Sequence, residues 1–288
     1  MSRENEQKDF LRSQGLTQAN QIALAADASF RTYYRIEQDN QSWVLMDAPP
    51  TKENTQKFVA IAKHLRGIGV NAPQIFGQDE KNGFLLIEDF GDQKFSTILK
   101  SSDQKEESKL YRAAISLLLA LQKTPPPSWL PHYTTEILME EVGLFIDWFW
   151  PMAKLSPITT SELGAYREAW NNILAATHTQ ENVLVLRDFH VDNLMWITGQ
   201  IEPEQIGILD FQDALSGSPI YDLVSLLEDV RRDVRTDLVR DLKDQYLASQ
   251  KLGASEFNYI YAALSAQRNT KILGIFTRLW RRDRKRQY

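Results

Sequence analysis

Apolar positions along this chain follow two different periods, and the change from one to the other divides the sequence. Residues 30–37 and 42–47 are rich in aromatic and β-branched side chains, with Asp39-Asn40 between them, which predicts two strands joined by a hairpin turn. Phe58, Ile61, Leu65 and Ile68 then recur at helical spacing, and Gly67 and Gly69 supply the stop. Residues 74–77 and 84–87, on either side of Asn82-Gly83, predict a second hairpin. Beyond them the period is mostly helical. An amphipathic stretch over 105–122 is stopped by Pro125-Pro126-Pro127, and another over 135–150 is expected to end at Pro151. A third, over 161–177, starts from a Ser-x-x-Gly sequence and carries Leu163, Tyr166, Trp170 and Leu174. Short apolar segments at 183–186, 194–197 and 206–209 form an island of strands, and helical spacing resumes at Tyr221. A β-rich front and a helical back predict an α+β fold with two lobes. The boundary is expected near residues 87–93, giving a small N-terminal lobe over 1–90 and a larger, mostly helical C-terminal lobe over 91–288.

Composition narrows the class. With 43% hydrophobic and 25% charged residues the chain is an ordinary globular sequence, which excludes a disordered or collagen-like protein. It has no cysteine, so disulfides, zinc–cysteine sites and thiol catalysis are excluded, in keeping with a reducing compartment and a cytoplasmic location. The polar N-terminus lacks the apolar core of a signal peptide. The longest apolar run, 113–121, is far short of the roughly 20 residues a membrane span needs, so no membrane association is expected. The net charge of −5 is uneven: the last eleven residues, from Arg278, carry +5 and the preceding 277 carry −10. An acidic body argues against a dedicated nucleic-acid binder. The basic end reads as a solvated helix terminus or tail. A monomer is expected.

The strand island holds the candidate chemistry. Apolar strands deliver Asp188, Asn193 and Asp210 to positions at strand ends. Phosphoryl transfer needs such a set: one carboxylate to accept the proton of an attacking hydroxyl, and an amide oxygen and a second carboxylate to hold Mg²⁺ on the phosphates of ATP. Asp-x-x-x-x-Asn alone is weak, since about one chance match is expected in a chain of this composition. Its context strengthens it: a strand before, a strand after, and a later strand ending in Asp-Phe. The bland alternative makes Asp188 and Asp210 turn caps and leaves Asn193 in a left-handed turn.

These residues resemble the aminoglycoside phosphotransferase and choline kinase superfamily, whose fold is protein-kinase-like. Asp188, Asn193 and Asp210 match its catalytic aspartate, its asparagine five residues on and its later metal aspartate, and 218–223 resembles the segment that follows. The likeness is strongest to bacterial anomeric kinases of N-acetylmuramate and N-acetylglucosamine in cell-wall recycling. It is carried by Asp27-Ala28-Ser29-Phe30-Arg31 with Tyr33, by 46–50, by Glu88-Asp89-Phe90-Gly91-Asp92, by 186–190, by Asp210-Phe211-Gln212-Asp213-Ala214 and by 271–276. The resemblance implies a small-molecule kinase using ATP and Mg²⁺, with Asp188 as base and Asn193 and Asp210 on the metal. It departs in two places. Leu186 and Arg187 stand where the family has His and Gly, and the strand that usually bears a phosphate-clamping lysine reads Met46-Asp47-Ala48.

The remaining site expectations follow. Ser29, Phe30 and Arg31 occupy the place of the phosphate loop, and Glu88 and Phe90 that of the inter-lobe hinge facing the adenine. Lys52, oriented by Glu53 or Glu37, is a candidate for the missing lysine, as are Arg31 and Arg35. Glu140, Asp147 and Trp148 share a helix face suited to a sugar. Arg187, Arg231 and Arg232 are candidate partners for a substrate carboxylate, with Gln212 and Asp213 nearby in sequence. Two other readings stay open: a kinase acting on an aminoglycoside, choline or another amine, and a nucleotide-binding pseudokinase without turnover.

Overall fold

The computed structural model describes residues 2–24, 30–177, 181–200 and 205–286. The chain groups into two units, Met1–Ser101 with Asp192–Asp213, and Ser102–Val191 with Ala214–Tyr288.

The first unit is built on a five-stranded antiparallel sheet. Its strands are β1 (Asn20–Ala23), β2 (Thr32–Gln38), β3 (Gln41–Asp47), β4 (Ile75–Asp79) and β5 (Phe84–Glu88), in the order β1-β2-β3-β5-β4. The β2–β3 turn is the tight one the sequence predicts. Asp39 and Asn40 have φ of 52° and 61°, as a two-residue turn matched to strand twist requires. The β4–β5 connection is different. Only Gly83 has positive φ there, 73°, and its N–H bonds the Asp79 carbonyl across a four-residue loop. Asp79 also accepts the Asn82 N–H, so a side chain supplies the bond that a tighter turn would make from backbone.

Helix α1 (Arg3–Ser13) packs Phe10 and Leu11 against Ile36, Leu45, Phe84 and Leu86 of the sheet. Neither α1 nor β1 is evident in the sequence pattern, because α1 exposes polar residues on most positions and β1 is exposed throughout. Helix α2 (Thr55–Gly67) buries the predicted Phe58, Ile61 and Leu65. After β5 comes the short α3 (Phe95–Ile98). The same unit holds the hairpin of β7 (Leu194–Trp196) and β8 (Ile206–Ile208). Ile208 N–H bonds the Asn71 carbonyl, Trp196 N–H bonds that of Gln93, and Phe211 packs on Phe58.

The second unit is helical: α4 (Gln104–Leu121), α5 (Thr135–Leu144), α6 (Trp150–Lys154), α7 (Thr160–Ala175), α8 (Ile220–Leu227), α9 (Thr236–Leu247) and α10 (Ala254–Arg281). Two strands, β6 (Val183–Val185) and β9 (Leu215–Gly217), pair within it. β9 is too short and too polar to have been read from sequence. The helix expected to end at Pro151 does not. A π-helical turn over Phe145–Phe149 joins α5 to α6, with the Trp150 N–H reaching back to the Phe145 carbonyl. Proline, which has no N–H, then falls in the first turn of α6, where none is needed. α7 begins one residue earlier than the Ser-x-x-Gly reading. Thr159 and Glu162 cap it reciprocally, each side chain on the other's backbone N–H. Among the described residues no helix is long and apolar enough to cross a membrane.

Candidate active site

Asp188 follows β6 on a turn that is held from beneath. α8 is buried along its whole length, including Asp222, which is 1% exposed. The Asp222 carboxylate accepts the backbone N–H groups of Leu186 at 2.7 Å and Arg187 at 2.9 Å. One helical turn on, the Ser225 hydroxyl donates to the Arg187 carbonyl. Gln122 and Tyr246 converge on the Pro219 carbonyl and fix the start of α8. These bonds stabilise an unusual backbone: Arg187 has φ of 70°. That is the left-handed region, costly for a long side chain and common at functional sites.

Burial pushes the Asp222 carboxyl up to about 7, and the nearby negative charge of Asp188 adds to the effect. His190, also buried, is pushed down to about 4 by desolvation and by the Arg231 charge. It therefore acts as a neutral packing group in the turn, and its backbone N–H bonds the Asp188 carbonyl.

Asn193 and Asp210 come together in the first unit. β7 and β8 pair with Leu194 opposite Ile208, so Asn193 and Leu209 are the next pair outward. The Leu209 N–H bonds the Asn193 carbonyl at 2.9 Å. Asp210 follows at once, with φ of 55°, a backbone that aspartate tolerates. One carboxylate oxygen of Asp210 accepts Gln212 Nε2 at 2.8 Å and lies 3.3 Å from Arg31 Nη2. The hairpin thus carries an amide oxygen and a carboxylate at one end. Hard oxygen donors in small number suit Mg²⁺, which keeps several waters of its own. No group of three or more His, Cys, Asp or Glu suited to a metal occurs among the described residues.

A profile of the phosphotransferase enzyme family matches residues 20–257. The chain belongs to the phosphotransferase enzyme family. Among relatives of this phosphotransferase, an N-acetylmuramate/N-acetylglucosamine kinase of Pseudomonas aeruginosa is 34% identical over 277 residues, covering 94% of this chain and 80% of the relative. A kinase of the same name from Caulobacter vibrioides is 30% identical, covering 99% and 88%. A solved aminoglycoside phosphotransferase in complex with GDP superposes with a TM-score of 0.69 at 15% identity, over 97% of this chain and 92% of that one. The fold is therefore protein-kinase-like α+β, as the resemblance implied, and the chain is a small-molecule phosphotransferase.

The other expected site residues of the phosphotransferase have distinct surroundings. Ser29, with residues 25–28, lies outside the described residues. Phe30 is exposed, its N–H donates to Glu53, and Lys52 lies 5.4 Å from its ring. Arg31 is buried against Asp210, whereas Arg35 is bound to Asp89 and Asp92. Glu88 accepts the Gln74 N–H and pairs with Arg66. The Phe90 ring lies over Gly207, where a side chain at position 207 would collide with it.

In the second unit, Glu140 and Asp147 line one cavity of about 700 Å³, together with Glu136, Tyr166, Arg167 and Asn171. Trp148 is half-buried and does not line it. Gln212 bridges Asp210 and the exposed Asp213. Arg231 pairs with the buried Asp229, and Arg232 with Glu107. Arg187 pairs with Glu141.

Sequence reasoning did not assign Glu141 or Asp222. Both are carboxylates inside apolar helical runs, a pattern that demands buried partners and is the signal that was available.

Proposed function

We propose that this phosphotransferase is an ATP- and Mg²⁺-dependent amino-sugar kinase that phosphorylates the anomeric C1 hydroxyl of N-acetylmuramate or N-acetylglucosamine. The observation that carries the reading is 34% identity, across 94% of the chain, to a kinase named for those two sugars.

In this reading Asp188 accepts the proton of the C1 hydroxyl as its oxygen bonds to the γ-phosphorus. The bond from that phosphorus to the bridging oxygen breaks, and ADP leaves. Asp222 and Ser225 keep the turn before Asp188 in one conformation, so the base needs no reorganisation. Asn193 and Asp210 would hold the metal, which when bound neutralises charge on the phosphates. Arg31, buried beside Asp210, takes the place of the absent strand lysine as the cation for the phosphates. Ser29, Phe30 and Lys52 serve nucleotide binding from the N-terminal lobe of residues 1–90, with Glu88 and Phe90 serving its base. Acceptor binding belongs to residues 91–288. There Glu140 and Asp147 offer acceptors for sugar hydroxyls.

The test is ³¹P NMR of ATP, Mg²⁺ and protein with each sugar. A sugar 1-phosphate resonance that is absent with folded Asp188→Ala is expected. Protein that binds ATP but turns over neither sugar overturns the reading. A second reading, a kinase of an aminoglycoside, choline or another amine, is favoured by the three carboxylates Glu136, Glu140 and Asp147 in one cavity. Turnover with cationic acceptors alone would select it.

A further inference from the structure

Arg187 immediately precedes Asp188 and has left-handed backbone, which glycine would adopt without strain. Its backbone is held by α8. Its side chain is held by a separate and more elaborate arrangement. The guanidinium donates to Glu141 Oε1 and lies 5.5 Å from the centre of the Tyr133 ring. The same oxygen accepts Lys271 Nζ at 2.8 Å. The other carboxylate oxygen accepts the Tyr133 hydroxyl at 2.6 Å and Gln267 Nε2 at 2.9 Å. Four donors therefore saturate one carboxylate that is 7% exposed. α5 supplies Glu141, and α10 supplies Gln267 and Lys271 one helical turn apart.

Two cations and one anion in so buried a place are costly, and a buried ion network is weak evidence for stability. An apolar contact would join α5 to α10 at less cost. What this network does that an apolar contact cannot is grip an arginine side chain that leaves the strained residue next to the base. Arg187 is so fixed at three points: N–H, carbonyl and guanidinium.

We propose that Glu141 and Lys271 are positioning residues for phosphoryl transfer: through the Arg187 side chain they fix the turn that presents Asp188. This rests on the reading of Asp188 as the base. It differs from the expectation that Arg187 binds a substrate carboxylate, because here the guanidinium serves the loop.

The test uses Glu141→Gln and Lys271→Gln, each with Arg187→Gly and alone. Glu141→Gln is expected to lower kcat by about 10- to 100-fold, the scale of a small misplacement of a reacting group, with KM for ATP nearly unchanged. Amide hydrogen exchange over residues 186–190 is expected to quicken. Lys271→Arg is expected to recover most of the activity lost in Lys271→Gln. In the Arg187→Gly background, Glu141→Gln should lower kcat no further, because the strut it anchors is gone. Should Glu141→Gln fail to fold, Lys271→Gln carries the same comparison. Wild-type kcat together with wild-type exchange at 186–190 overturns the proposal, as does an equal loss of kcat in the Arg187→Gly background. Wild-type protein without turnover on any acceptor would count against Asp188 as base, while the exchange measurement would still decide the strut.

Discussion

The wholly buried Asp222 carboxylate accepts the N–H of Arg187 at 2.9 Å, and with it the N–H of Leu186. A buried acceptor that serves two donors leaves both orphaned when it is lost. Asp222→Ala is therefore expected to lower stability by about 2–4 kcal/mol, from two unsatisfied donors less what water recovers. Asp222→Asn keeps one acceptor but turns an amide N–H toward a backbone N–H, so it is expected to be destabilising as well. Urea denaturation measures both losses of stability. Steady-state kinetics is expected to show, in addition, a fall in kcat larger than any change in KM for ATP. A stable, fully active Asp222→Ala would show that the turn before Asp188 holds itself.

The turn and the helix beneath it are expected to respond to acid in two opposing ways, because burial shifts His190 down and Asp222 up. Asp222 is raised to about 7 by burial, from an ordinary 3.8. Between those values the folded chain holds a proton that the unfolded chain has lost, so this group's effect is to reduce stability as pH rises from 4 to 7. His190 is lowered to about 4 by burial and Arg231, from 6.5. There the unfolded chain holds the extra proton, so this group's effect is to increase stability as pH rises from 4 to 6.5. Each full proton difference changes stability by about 1.4 kcal/mol per pH unit. The two slopes oppose one another across the same window, with Asp188, Asp229, Arg231 and Arg268 facing the pair. His190→Gln is expected to make stability fall more steeply with rising pH than in the wild type, and Asp222→Asn to make it rise. Denaturation midpoints between pH 4.5 and 7.5 test this, and two variants that run parallel to the wild type would refute it.

What was legible in the sequence and what was not divides along physical lines. Asp39-Asn40 was legible because both residues of a two-residue turn need positive φ and few side chains tolerate it. Phe58, Ile61 and Leu65 were legible because burial imposes a period. Asp188, Asn193 and Asp210 could be picked out because three strands frame them. The π turn before Pro151 was not legible, since a proline can end a helix or start its next segment with equal local chemistry. Arg231 meets Asp229, a carboxylate two positions away that local spacing already offered. The partners of Arg187 and Arg232 were not legible: Glu141 and Glu107 stand 46 and 125 positions away from them. Only folding selects which carboxylate meets which arginine.

Arg232 illustrates how such a pairing redirects an expectation. Its guanidinium donates to Glu107 at 2.6 Å, and Arg235 donates to the other oxygen of the same carboxylate at 2.9 Å. Glu107 is 4% exposed, so its charge needs these partners. Arg232→Ala is expected to cost about 1–2 kcal/mol, at the low end for a hydrogen bond to a charged group because Arg235 remains. KM for an acidic sugar is expected to change less than twofold. A tenfold rise in KM for N-acetylmuramate, with KM for N-acetylglucosamine unchanged, would instead assign Arg232 to the substrate carboxylate.

Asp210 carries both a proposed metal role and a visible structural one, and the two can be separated. Its carboxylate accepts Gln212 Nε2 and faces Arg31, and an asparagine retains an oxygen for these contacts while losing the negative charge. Asp210→Asn should therefore fold with nearly wild-type stability. Magnesium is held by charge as much as by geometry, and one fewer negative ligand weakens a site that relies on few protein groups. The expected result is a sugar-dependent rate that falls by at least about 100-fold at fixed Mg²⁺, the scale of losing transition-state charge stabilisation. It should recover in part as Mg²⁺ is raised. Arg31→Met should act differently, raising KM for ATP without shifting the Mg²⁺ dependence as far. An Asp210→Asn enzyme whose Mg²⁺ titration overlays the wild type would remove Asp210 from the metal and leave it a turn residue bonded to Gln212.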